Sequence, residues 1–201
     1  MTTNLEWNPL LLDQLELHWT YALRPRLEGL SDDEYLWEPA PGAWSIRPRG
    51  ACTSPAPIGR GPFERDDAPD DPSPAPVTTI AWRLAHITVE VMAMRSASHF
   101  GREAAHHESW TYAGTAVEGL AQLDQEYAVW RDGVRGLGEE GLTRPCGPAE
   151  GPFAEAPLAA LVLHIHREVI HHGAEIALLR DLYPHAHRRG CSDPADSGKD
   201  S

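Results

Sequence analysis

Apolar residues recur at three- and four-residue intervals in four stretches of this chain, and each stretch predicts an amphipathic helix. The first covers about Leu5 to Leu30, with Leu11, Leu12, Leu15, Trp19 and Leu23 on one side and Pro25 set to kink or restart it. The second begins after Thr78 or Thr79, either a suitable N-cap, and ends near Gly101; its apolar positions are Ile80, Leu84, Ile87, Val91 and Met94. The third covers about Thr115 to Leu137, with Val117, Leu120, Leu123, Tyr127 and Val134 inward. The fourth starts near Pro157 and ends before Pro184, carrying Val162, Ile165, Val169, Ile176 and Leu179. Ser31 followed by Glu34 adds a capping-box signal for a short helical turn through Trp37. No stretch reads as a strand and no repeat is visible, so the predicted fold is all-α, a four-helix bundle over residues 1–183 with a tail at 184–201.

Between the first and second helices the pattern is lost. Residues 39–77 are rich in proline and glycine and hold Asp66, Asp67, Asp70 and Asp71, which predicts a long loop. This loop either drapes over one end of the bundle as a lid or moves freely.

With 30 acidic and 17 basic residues, the formal charge of −13 argues against nucleic acid and against an anionic membrane surface as partners. Every basic residue but Lys199 is arginine, yet no arginine cluster accompanies the excess. The three cysteines, Cys52, Cys146 and Cys191, are too few and too far apart for a disulfide framework or a cysteine zinc motif, and suit a reducing cytoplasm. Cys52 and Cys146 become candidate reactive thiols only where the loops bring them beside a metal. The first residues hold acids within their apolar run and lack a basic segment, unlike a signal peptide. No run reaches 18 uninterrupted apolar residues, so no membrane span is expected.

Histidine changes the picture more than charge does. Of 11 histidines, His86, His164, His166, His171 and His172 lie on the second and fourth helices. Glu168 and His172 stand four residues apart, which stacks them on one helix face, and His172 falls on the apolar stripe between Val169 and Ile176. A core-facing imidazole needs a partner, because an unsatisfied buried polar group costs about 1–3 kcal/mol. Either a metal ion shared with Glu168 or a hydrogen bond to it meets that need. One histidine from the second helix with the Glu168–His172 pair gives three ligands and an open fourth position, the pattern of a catalytic site. His164 and His171 are alternative ligands, whereas His166 is expected to point away into solvent. Glu90 and Glu175 are either carboxylates that orient a ligand imidazole or ordinary exposed acids.

At these residues the chain resembles the DinB-like family of metal-binding four-helix bundles. That family includes the bacillithiol S-transferases and the metal-binding domain of mycothiol-dependent maleylpyruvate isomerases. TTIAWRLAHITVEVMAMR from Thr78 is similar to the family's second helix, and REVIHHGAEIALLRDLY from Arg167 to its fourth. WNPLLLDQLELHW and EPAPGAWSI resemble the first helix and the Trp-Ser segment after it. The resemblance implies His86, Glu168 and His172 as metal ligands, in the branch of the family that uses Glu with His. It implies a divalent ion, zinc first, with nickel, manganese or iron also compatible with the donor set. It implies a low-molecular-weight thiol and an electrophilic small molecule as substrates, and a homodimer packed through helices. The aromatic residues Trp7, Trp19, Tyr21, Tyr35, Trp37 and Trp44 fit either that interface or a cap on the core. The chain departs from the family pattern in the stretch Arg47–Val77, which separates Trp44-Ser45 from the second helix, and the fused second domain of the mycothiol-dependent isomerases is not expected from the 18 residues that follow the fourth helix. Two function classes follow: a metal-dependent thiol S-transferase or isomerase-like enzyme, or a non-catalytic metal-stabilised bundle that binds a small molecule or a protein.

Overall fold

The computed structural model describes residues 5–70 and 72–188. Helix α1 spans Trp7–His18, passes through a π-helical turn at Trp19–Leu23 and continues over Arg24–Arg26. Its first turn is satisfied from outside: the Asn8 backbone N–H donates to Glu139 Oε1 at 2.7 Å, and its side-chain amide donates to the Val134 carbonyl at 2.8 Å. Pro25 lies in the last segment without ending the helix. Short α2, Asp32–Tyr35, is capped by Ser31, which accepts from the Glu34 N–H at 3.2 Å. The Glu34 carboxylate does not fold back to complete a capping box. It takes the Arg180 guanidinium at 2.9 and 3.2 Å.

Helix α3 comprises Ile80–His86, a π-helical segment Ile87–Ala93 and Met94–His99. Thr79 caps it by accepting from the Trp82 N–H at 3.2 Å, as the sequence predicts. The π-helical bonding buries Ile87, Thr88, Val89, Val91, Met92 and Ala93, and leaves Glu90 half-buried in the gap on the His86 side. Helix α4, Ala116–Thr143, is capped by Thr115 and broken at Gly138, whose φ of 57° suits glycine. Helix α5, Leu158–Arg188, runs past its expected end: Pro184 sits inside it. A proline costs a helix one N–H bond but does not forbid the turns after it. The rest of the expected tail, residues 189–201 with Cys191, lies outside the described residues.

Leu15, Leu27, Leu84, Ile87, Leu123, Trp130, Val169 and Ile176 fill the space between the long helices. Trp19 stacks on Tyr127 at 3.7 Å between ring centroids. Val117, expected inward, is exposed because α4 begins at the rim of the bundle, where its first turn has no neighbour on that side.

The stretch expected to be strandless holds a small antiparallel sheet. β1, Ile46–Pro48, pairs with β2, Phe63–Arg65, Ile46 opposite Arg65 and Pro48 opposite Phe63. Strands of three residues are too short to register as alternation. The loop is closed at its base by Trp44, whose N–H donates to Val77 and whose carbonyl accepts from Thr79, at 2.8 and 2.9 Å. Trp44-Ser45 therefore lies directly against the start of α3, with the intervening residues folded outward. Asp66, fully buried, organises them by accepting from the N–H groups of Ser45, Thr53 and Ser54 and from Arg47 Nε. These bonds hold its carboxyl below the usual range against the opposing effect of burial. Residues 45–67 thus form an ordered hairpin. Among the described residues no helix is long and apolar enough to cross a membrane.

Candidate metal centre

His86 projects from the last turn before the π-helical segment of α3, and Glu168 and His172 from successive turns of α5. Their nearest donor atoms all lie within 4.8 Å of one another. His172 Nε2 is 3.3 Å from Glu168 Oε2. Ligands about 2.1 Å from a zinc ion at the tetrahedral angle would sit about 3.4 Å apart, so this spacing suits a shared ion. The two imidazoles stand edge to face, centroids 4.7 Å apart. The three residues named from sequence are therefore brought together, and two imidazoles with one carboxylate form a donor set suited to a divalent ion.

Each imidazole is oriented through its other nitrogen. His86 Nδ1 meets Glu90 Oε2 at 2.5 Å, and the ring stacks on Trp82, 5.6 Å between centroids and 10° between planes. His172 Nδ1 meets Glu175 Oε2 at 2.7 Å. A carboxylate on Nδ1 fixes the proton there and leaves the Nε2 lone pair for a ligand role. Arg83 approaches His172 Nδ1 at 3.3 Å, but both groups are donors in that tautomer; its productive contact is with Glu175 Oε2 at 3.1 Å. Burial pushes the His172 pKa below the ordinary histidine value, against the pull of Glu175, which favours the neutral imidazole that a metal requires. Glu90 and Glu175 thus take the orienting places left open by the sequence.

The loop enters the site through Arg65. Its guanidinium donates to Glu90 at 2.8 and 2.9 Å and to Asp67 at 2.8 Å, and lies over the rings of Trp82 and Tyr112. Arg65 and His86 together hold the Glu90 carboxyl far below the usual carboxylate range despite burial. Nothing in the sequence marked Arg65, because the connection runs between a loop residue and a helix residue 25 positions apart.

The remaining histidines sort differently from expectation in one case. His164 is partly buried and His171 exposed, at 3.5 Å from Glu168 and 3.6 Å from Glu175 respectively. His166 is buried rather than solvated, only 5 % exposed. α5 packs on several neighbours at once, and its buried face is wider than a single stripe. Cys52 bonds to the Glu64 carbonyl, and burial with nearby Asp66 pushes its thiol up to about 12. Burial also raises the Cys146 thiol, so neither cysteine is an activated nucleophile.

A sequence-family model described as the DinB superfamily matches residues 65–176, a span that contains Arg65, His86, Glu90, Glu168, His172 and Glu175. No curated protein and no solved structure matches the chain.

Proposed function

Because this chain belongs to the DinB superfamily, we propose that it is a divalent-metal-dependent thiol S-transferase or isomerase-like enzyme, with His86, Glu168 and His172 as metal ligands. The observation that carries the reading is the paired tethering of His86 to Glu90 and His172 to Glu175 through Nδ1, which leaves each Nε2 lone pair free while donor atoms of His86, Glu168 and His172 lie within 4.8 Å of one another. A carboxylate on Nδ1 meets the donor of each imidazole and leaves its Nε2 acceptor unmet, and an ionised Glu168, placed beside them, has no proton to donate to it. When bound, zinc or a similar ion would hold a low-molecular-weight thiol in its nucleophilic thiolate form. The chain's own residues favour the neutral His172 imidazole, fix the planes of both rings and surround the site with the Trp82 ring and the Arg83 and Arg65 guanidiniums. Zinc is the first choice, with nickel, manganese and iron also matched to this donor set.

We also propose a homodimer. Leu10, Leu17 and Tyr21 on α1 are exposed at spacings of seven and four residues, and Leu163, Ile170 and Leu178 on α5 at seven and eight, an apolar strip on each of two adjacent helices.

The test is elemental analysis of untagged protein beside the His86→Ala, Glu168→Ala, His172→Ala triple variant, followed by turnover of a chlorinated nitroaromatic over a panel of thiols. About one metal per chain, lost in a folded variant, with turnover only when thiol and metal are both present, is the expected result. Metal binding without turnover for any thiol would instead favour a metal-stabilised binding protein. No metal in the wild type after incubation with zinc, nickel, manganese and iron would overturn both.

A further inference from the structure

Beside the candidate centre lies a cavity of about 590 Å³ that none of the metal-site residues line. Its volume falls within the range of small-molecule sites, about 300–1,000 Å³. The turn between α4 and α5 and the first turns of α5 form its apolar floor, with Pro152, Phe153, Ala156, Ala160 and Leu161. Two guanidiniums face it, Arg95 from the end of α3 and Arg167 from α5. The one lining carboxylate, Glu150, is already engaged twice, by His99 Nε2 at 2.9 Å and by Arg95 Nε at 3.2 Å. Among the described residues no hydrogen bond holds the terminal nitrogens of Arg95. Arg167 is largely exposed; its Nη2 donates to His164 Nδ1 at 2.6 Å and lies 3.6 Å from Glu168, and among the described residues no hydrogen bond holds its Nη1. The lining therefore presents an apolar floor and more positive than negative charge. Cys146 also lines it, and its raised thiol pKa makes that wall unreactive.

We infer that this cavity binds a small organic anion with an apolar body, such as an aryl or branched alkyl carboxylate, its charge between Arg95 and Arg167 and its body against Phe153, Ala160 and Leu161. Two wall residues join it to the candidate centre: His164 Nδ1 and Arg167 Nη2 lie 3.5 and 3.6 Å from Glu168 Oε1. On the thiol-transfer reading, on which this role rests, the cavity seats the electrophile, and the chemistry takes place at its Glu168 end.

Binding is measured on chelator-treated, metal-free protein by titration calorimetry with 4-tert-butylbenzoate, its neutral amide 4-tert-butylbenzamide and the cation 4-tert-butylbenzylammonium. The benzoate should bind at least tenfold more tightly than the amide, and the cation weakest. Arg167→Gln, a change at an exposed position, should cut the benzoate preference several-fold and leave amide binding unchanged. Ala160→Trp should fill the floor and abolish binding of all three with an unchanged helical circular dichroism spectrum. Equal affinities for the three probes, no benzoate binding to the wild type, or benzoate binding that survives Ala160→Trp would each overturn the inference. Metal content reports separately on the centre. Benzoate binding in a protein that takes up no metal would leave the cavity standing and remove its catalytic role.

Discussion

Arg65 reaches out of the hairpin between α2 and α3 and grips Glu90 with two nitrogens, at 2.8 and 2.9 Å, while Glu90 holds His86 Nδ1. The guanidinium is only 2 % exposed. An extra segment that first reads as a lid or a free loop thus acts from behind a proposed metal ligand. It approaches the Nδ1 side of the ring, opposite the nitrogen that would meet the ion. Its effect on the centre is therefore on the orientation of His86 rather than on access.

Replacing Arg65 with methionine should lower zinc affinity about 10–100-fold, the usual cost of losing an outer partner of a ligand histidine. It should also destabilise the fold by about 3 kcal/mol, because Glu90 is left as a half-buried charge without its main partner. The Arg65→Met, Glu90→Leu double variant separates the two effects. With no carboxylate left to strand, stability should recover largely, while zinc affinity should stay low because His86 has lost its tether. Competition titration with a chromophoric chelator and urea unfolding of metal-free protein give the two readouts. Recovery of both together would reduce Arg65 to a purely structural role.

The hairpin is seated at a second point, just before α4, where Phe63 lies over Gly114. A Cβ built on Gly114 would come within 2.1–2.5 Å of three Phe63 ring carbons. Gly114→Ala should therefore cost about 1–3 kcal/mol through overpacking, and limited proteolysis should cut the hairpin at Arg49 or Arg60 faster than in the wild type. Gly136→Ala, inside α4 with nothing within 4 Å of the added carbon, is the control. It should be neutral or stabilise by up to about 1 kcal/mol. Equal behaviour of the two variants would mean that the hairpin does not depend on this contact.

The helices were legible because each carries a continuous apolar stripe, and some add a side-chain cap, such as Thr79 before α3 and Thr115 before α4. The pairing of Glu168 with His172 was legible for the same reason, since helical spacing alone places them together. His86 needed the family likeness, because no local rule links α3 to α5. Arg65 was hidden for a related cause: its role depends on how a proline-rich loop folds back, and that is set by Asp66 collecting N–H groups from residues scattered over the loop. The extra turns of α5 past Pro184 were missed because a proline was read as a stop, where it removes only one bond of a helix already under way.

The apolar strip on α1 and α5 predicts a particle of twice the chain mass by light scattering. Two charges placed in it, Leu17→Arg and Ile170→Arg, should give a single-chain particle. Both side chains are exposed, at 51 % and 42 %, so the fold should tolerate the change and the circular dichroism spectrum should not alter. The same double variant should keep its metal, because all three proposed ligands come from one chain. A wild type that runs as a single chain at micromolar concentration would remove the dimer.

His166 gives the acid side of the stability curve a specific cause. It is buried, its Nε2 has no hydrogen-bond partner, and burial lowers its pKa from 6.5 to about 4. Between those values the unfolded chain binds a proton that the folded chain refuses, so stability must fall as the pH drops from 6.5 towards 4. At pH 4.5 the loss from this one group would be about 2–3 kcal/mol. Acidic groups such as Glu90, held far below their ordinary range, add their own loss only at lower pH, and they do so equally in wild type and variant. His166→Leu keeps a similar volume and removes both the titration and the orphaned nitrogen. Metal-free protein unfolded in urea at pH 7.0, 5.5 and 4.5 should show the variant close to wild type at the first pH and more stable by about 2–3 kcal/mol at the last. Parallel curves would mean that His166 takes up its proton in the folded chain as readily as in the unfolded one, and that its burial carries no electrostatic cost.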